Sequence, residues 1–74
     1  MKRRVYVIAV TTHFYSFQDK LEFKISQEAY DSLEKAQNFC MQRSESYQID
    51  EYNFCSEPDD NVWYEYLIMP LTLV

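Results

Sequence analysis

The sequence predicts a small α+β domain of ββαββ type, a four-stranded, mostly antiparallel sheet with one amphipathic helix packed on one face. Three observations lead there. Between Ser32 and Ser46, Leu33, Ala36 and Cys40 recur at spacings of three and four, with Phe39 and Arg43 at the edges of the stripe. Glu34, Lys35, Asn38, Gln42 and Glu45 fall on the other side, so this stretch is a helix with one face for a core and one for water. The other apolar runs have the length and composition of strands that need such a lid. Finally, 74 residues make a single domain, spanning 1–74, whose core is thin, because a chain of this size buries only about 60% of the surface it exposes when unfolded. Seven Tyr, five Phe and one Trp compensate, since each ring buries about 150 to 250 Å².

The first strand is Val5 to Thr12, dense in β-branched and aromatic residues. Its unbroken apolar run predicts a central strand covered on both faces. His13 to Lys20 mixes aromatic and polar residues without a period and reads as a loop or the mouth of a hairpin, where Phe14, Tyr15 and Phe17 are expected to fold back as a small apolar cap. Leu21, Phe23 and Ile25 alternate with Glu22, Lys24 and Ser26, the period-two pattern of a half-buried second strand. Asp31 and Ser32 are both good helix N-cap types, and Asp31 with Glu34 resembles a capping box. After the helix, Tyr47 to Cys55 reads as a third strand whose inward parity switches from Tyr47 and Ile49 to Tyr52 and Phe54, as a bulge near Asp50 would cause. The run Ser56-Glu57-Pro58-Asp59-Asp60-Asn61 is a turn. Val62 to Met69 forms the fourth strand, and Pro70, which lacks an amide hydrogen, confines its end to an edge or stops it. Leu71 to Val74 are apolar and either pack on the body or meet a second copy.

Several chemistries are excluded. Glycine is absent, so the phosphate-cradling loops of nucleotide-binding folds, which need it at positive φ and at close backbone approach, have no place here. His13 is the only histidine, and Cys40 and Cys55 have no metal-binding spacing, so neither metal nor cofactor is expected. Cys40 lies in the helical stripe as a small buried hydrophobe. A Cys55, His13 and Asp50 constellation has no spacing in its favour, and adjacent acids such as Asp50 with Glu51 are expected to be solvated rather than tuned for acid/base work. No enzyme activity is predicted. No run approaches the roughly 18 apolar residues of a membrane span. Met1-Lys2-Arg3-Arg4 before Val5 to Val10 mimics the start of a signal peptide, but the apolar run is too short and no small-residue cleavage site follows. Two free thiols then fit a reducing cytoplasm.

Charge is unevenly placed. Residues 1–43 hold all seven basic residues and five acids, a net of +2, whereas residues 44–74 hold seven acids and no base, a net of −7. The acids Glu45, Asp50, Glu51, Glu57, Asp59, Asp60 and Glu65, interleaved with Tyr52, Trp63, Tyr64 and Tyr66, are expected to form one partner-binding face. A single-sign field attracts basic surfaces, carboxylates pair well with Arg, and Tyr and Trp are favoured at interface hot spots. Lys2-Arg3-Arg4 is the opposing hint of nucleic-acid binding, outweighed by a net charge of −5.

The opening Val5-Tyr6-Val7-Ile8 strand, the helix start from Ser32 to Phe39 and the Tyr47-Gln48-Ile49-Asp50-Glu51-Tyr52 segment together resemble short proteins of phages and bacterial mobile elements. These motifs are structural and transfer no functional residue. What the resemblance implies is a bacterial cytoplasmic setting in which small acidic proteins inhibit host or defence machinery. The expected function is therefore a non-enzymatic inhibitor, anti-CRISPR-like, that covers the basic nucleic-acid-binding surface of a larger bacterial protein such as a CRISPR effector, with no direct nucleic-acid or membrane contact. The alternative is a homodimeric structural or regulatory accessory protein joined through the Val62 to Val74 strand.

Overall fold

The computed structural model describes residues 3–15 and 21–73. In chain order these form β1 (Arg3–Phe14), β2 (Leu21–Ile25), α1 (Leu33–Met41), β3 (Ser46–Gln48), β4 (Asn53–Ser56) and β5 (Val62–Leu73). The strands make one antiparallel sheet in the order β2-β1-β5-β4-β3. Its spine is the pairing of the first and last strands, in register from Arg3 opposite Leu73 to Phe14 opposite Val62.

Strand alternation sorts the side chains between two faces. On one, Ile8, Phe54, Tyr66 and Ile68 meet Ala36 and Cys40 of α1, and these six buried residues are the core. Small residues at both helix positions let its backbone lie close to the sheet. Phe39 closes the flank, with its ring 5.8 Å from that of Tyr30 and the Arg43 guanidinium 4.3 Å above its centre. A nine-residue helix is about 13 Å long, whereas twelve-residue strands run for about 40 Å. The helix therefore covers only the middle of the spine, and among the described residues no helix covers the other face.

The sheet has five strands rather than four, and the order is ββαβββ. The segment Tyr47 to Cys55 is not one bulged strand but a hairpin, because the Asp50 carboxylate accepts from the Tyr52 amide at 2.8 Å and from the Asn53 side chain at 2.8 and 2.9 Å. That turn reverses the chain, and the switch of parity marks the reversal. The helix is shorter than Ser32 to Ser46. Ser32 is its N-cap, with Oγ accepting from the Lys35 amide at 3.2 Å, while Asp31 instead pairs with Lys35 Nζ at 2.9 Å. At the other end the Cys40 carbonyl accepts from Arg43 N at 3.2 Å and Ser46 Oγ at 2.7 Å, so the next α-helical turn loses its acceptor.

Both long strands exceed their expected limits. β1 begins at Arg3 and takes in His13 and Phe14, which the sequence places in a loop or the mouth of a hairpin; β1 and β2 pair antiparallel up to His13 opposite Leu21. Tyr15 follows as an exposed turn residue; Phe17, the third member of the expected aromatic cap, lies outside the described residues, as does Val74. β5 continues through Pro70 to Leu73. The Ile68 amide donates outward to Tyr52 O at 2.8 Å, so Pro70, two residues on, has its nitrogen on that same outer edge beyond the end of β4, where no ladder bond is lost. Phe23 and Ile25 of β2 face away from the core: register opposes Ile25 to Ala9 and Phe23 to Thr11, on the helix-free side, where Ile25 is 53% and Phe23 63% exposed.

Candidate interaction surfaces

The turn between β4 and β5 is built by Asp59, whose Oδ1 accepts from the amides of Asn61 at 2.7 Å and Val62 at 3.1 Å. Asn61 in turn accepts from the Tyr15 amide at 2.9 Å, which ties the end of β1 to this corner. The Glu57 amide donates to Glu45 O at 3.2 Å, bringing in the connection after α1, which the Ser56 hydroxyl also holds by donating to Ser44 O. The result is a depression of about 470 Å³ lined by Glu45, Glu57, Pro58, Asp59, Asp60 and Tyr15. No cation is among these lining residues. Desolvation first, and then the charges of Glu57 and Asp60, push the Tyr15 hydroxyl above its ordinary range. Among the described residues no group of His, Cys, Asp or Glu side chains is arranged to hold a metal ion, and no helix is long and apolar enough to cross a membrane.

The remaining expected site residues lie elsewhere. Asp50 and Glu51 occupy the β3–β4 turn, at the far end of β4 from the depression. The hydrogen bonds of Asp50 to Tyr52 and Asn53 hold its carboxyl below the usual range, and Glu51 O accepts from Gln37 Nε2 of the helix at 2.9 Å. Tyr52 and Tyr64 pack against the core and Tyr66 is part of it, so these rings do not make a binding face with the acids. Trp63 and Glu65 are on the opposite side of the sheet from Tyr64. There His13, directly across from Trp63, stacks on it with ring centres 3.8 Å apart and planes 8° from parallel. His13 Nε2 also approaches Glu65 Oε1 to 2.7 Å, the distance of an ion pair without the alignment of a hydrogen bond.

The constellation of Cys55, His13 and Asp50 does not form. Asp50 belongs to the distant turn, and both cysteines are buried. Burial pushes the Cys40 thiol up to about 11 and raises that of Cys55 as well, which disfavours a thiolate at neutral pH.

Comparison of the chain with protein families, with curated proteins and with solved structures finds no match.

Two further features of the surface have no counterpart among the expected site residues. On the helix side, where the short α1 leaves β1 and β2 uncovered, a groove of about 720 Å³ runs over Val10, Phe14, Tyr30 and Phe39, rimmed by Glu22, Lys24 and Glu28. On the helix-free side, seven of the nine large hydrophobic residues exposed among the described ones share a single surface: Phe23, Ile25, Tyr47, Ile49, Leu67, Leu71 and Leu73. A smaller hollow of about 150 Å³ lies across it, with Phe23 and Ile49 at its sides and Ala9, Thr11 and Cys55 below. The one sequence signal for this surface is the unbroken apolar run of β1, whose Val5 and Ala9 are themselves buried on the helix-free side, while the exposed apolar side chains there come from β2, β3, β5 and Ile49.

Proposed function

We propose that this chain is a non-enzymatic, protein-binding inhibitor whose acidic end docks on the basic, nucleic-acid-handling surface of a larger bacterial protein, in the manner of an anti-CRISPR or other counter-defence protein. One observation carries the reading. Glu45, Glu57, Asp59 and Asp60, drawn from two separate segments, gather around one depression with no lining cation and with the Tyr15 ring beside them. Carboxylates spaced around a shallow surface compete with phosphates for Arg and Lys side chains, and a concentrated negative field accelerates encounter with such a surface. The binding set narrows to these four acids and Tyr15. Asp50, Glu51, Tyr52, Trp63, Tyr64 and Glu65 are used in turns, in core packing or on another face.

The test is affinity capture with the tagged chain from bacterial lysate, eluted with increasing salt and read by mass spectrometry. Because Asp59 also closes the turn, the informative variant is Glu57→Lys with Asp60→Lys, checked for an unchanged far-UV circular dichroism spectrum. Recovery of a nucleic-acid-handling protein that elutes at moderate salt and is missing with the variant supports the reading. Capture that survives both charge reversals would falsify it.

A further inference from the structure

We infer that the helix-free face of the sheet is an interface between two copies of this chain, packed face to face about a twofold axis perpendicular to the strands. The face is apolar but not featureless. Strand parity places on it the odd-numbered residues of β1, from Arg3 to His13, and of β5, from Trp63 to Leu73. Across all five strands Arg3 and Glu65 are its only formally charged described side chains, and they stand toward opposite ends of the spine.

A twofold interface must complement itself, because the same patch meets its own copy. With the axis passing near Ile8, the strands of the two copies run in opposite directions and Arg3 of one copy lies over His13 of the other, beside Glu65. Each cation then meets an anion, twice, and Leu73 covers the Trp63 ring. An axis along the strands would instead set Arg3 close to Arg3 and leave Glu65 without a cation. The charge pattern thus selects both the occupant and its orientation.

The area agrees. Strands of this length and spacing give a footprint of roughly 600 to 800 Å² per copy, against about 800 Å² per partner in a stable interface. Two antiparallel sheets packed in this way are an ordinary sandwich, with inner side chains interdigitating across about 10 Å. Pairing through the edge of β5 is the weaker alternative. There Pro70 presents no amide hydrogen, and such an edge is blunted against strand addition. Packing by the face also covers the side chains that the single chain leaves exposed there, Phe23, Ile25, Leu67, Leu71 and Leu73, and it leaves the acidic end of each copy free.

Sedimentation equilibrium of the purified full chain over a concentration series tests this without any other partner. The expected result is twice the 9.0 kDa chain mass, with a blue shift of Trp63 emission as the dimer forms. Leu71→Glu, on the exposed part of the spine, should yield a folded single chain. Arg3→Glu should raise the dimer dissociation constant about tenfold or more, and adding Glu65→Arg to it should restore the affinity, since the swap exchanges the two charges across the axis. A wild-type chain that stays monomeric across the concentration series overturns the proposal. A dimer that persists in folded Leu71→Glu places the contact at a strand edge instead, and failure of the charge swap to rescue overturns the orientation.

Discussion

Glu45 holds φ at 53°, the left-handed region in which a Cβ meets the neighbouring carbonyl at a cost of about 1 to 2 kcal/mol. Chains commonly place glycine at such a position after a helix. This one has none and uses a residue whose amide-to-carbonyl link with Glu57 and whose carboxylate both belong to the acidic corner. Glu45→Gly should therefore stabilise the fold by about 0.5 to 1 kcal/mol, the relief being partly offset by the greater freedom of the unfolded chain. In thermal unfolding that is a rise of roughly 2 to 8 °C. Glu45→Ala removes the same carboxylate but keeps the Cβ, so it should give no such rise; an equal gain from alanine would locate the effect in the charge and not in the backbone.

The hairpin of β3 and β4 depends on a single carboxylate. Asp50 accepts from one backbone amide and one side-chain amide, and these bonds favour its ionised form. Its pKa is depressed in the folded chain, so its contribution is complete above the ordinary carboxylate value and fades as pH falls through the folded one. Asp50→Ala should lower the melting temperature at neutral pH, and its melting temperature should decline less steeply than that of the wild type as pH falls below about 4. Parallel acid profiles of the two proteins, followed by circular dichroism, measure this. The helix illustrates the same scale differently. Its start is written locally in Ser32, whereas its end comes from Ser46 reaching back to the Cys40 carbonyl, a contact that side-chain periodicity does not describe.

Across the whole molecule, charge and apolar surface are segregated. Four acids crowd one end of the sheet, hydrophobic side chains fill one face, and the helix covers the middle of the other. Like charges held together oppose the compact state, and mobile ions screen them. The melting temperature should rise as sodium chloride increases from about 0.01 M to about 0.15 M, over which the screening length falls from about 30 Å to about 8 Å. The variant Glu57→Lys with Asp60→Lys should lose most of that dependence. A wild-type melting temperature that falls with salt would mean that attractive pairs such as Asp31 with Lys35, and not the acidic end, dominate the electrostatics.

The sequence by itself determined the elements whose signal is carried by near neighbours. The stripe of Leu33, Ala36 and Cys40 placed the helix, the β-branched and aromatic runs placed β1 and β5, and Cys40 was legible as a core residue. Only the tertiary structure decided which side of the sheet each apolar set faces, since that follows from register, and a slip of one residue inverts every side chain. Phe23 and Ile25 have the alternation of inward residues, yet pairing with β1 turns them to the helix-free side. The acids were countable but not placeable. Glu45 joins Glu57, Asp59 and Asp60 through a backbone bond across the chain, while Asp50 and Glu51 are carried to the far end of β4 by the very turn that Asp50 makes. Periodicity reports the shape of a segment, whereas a surface is assembled by pairings as distant in sequence as Arg3 with Leu73, which no local pattern encodes.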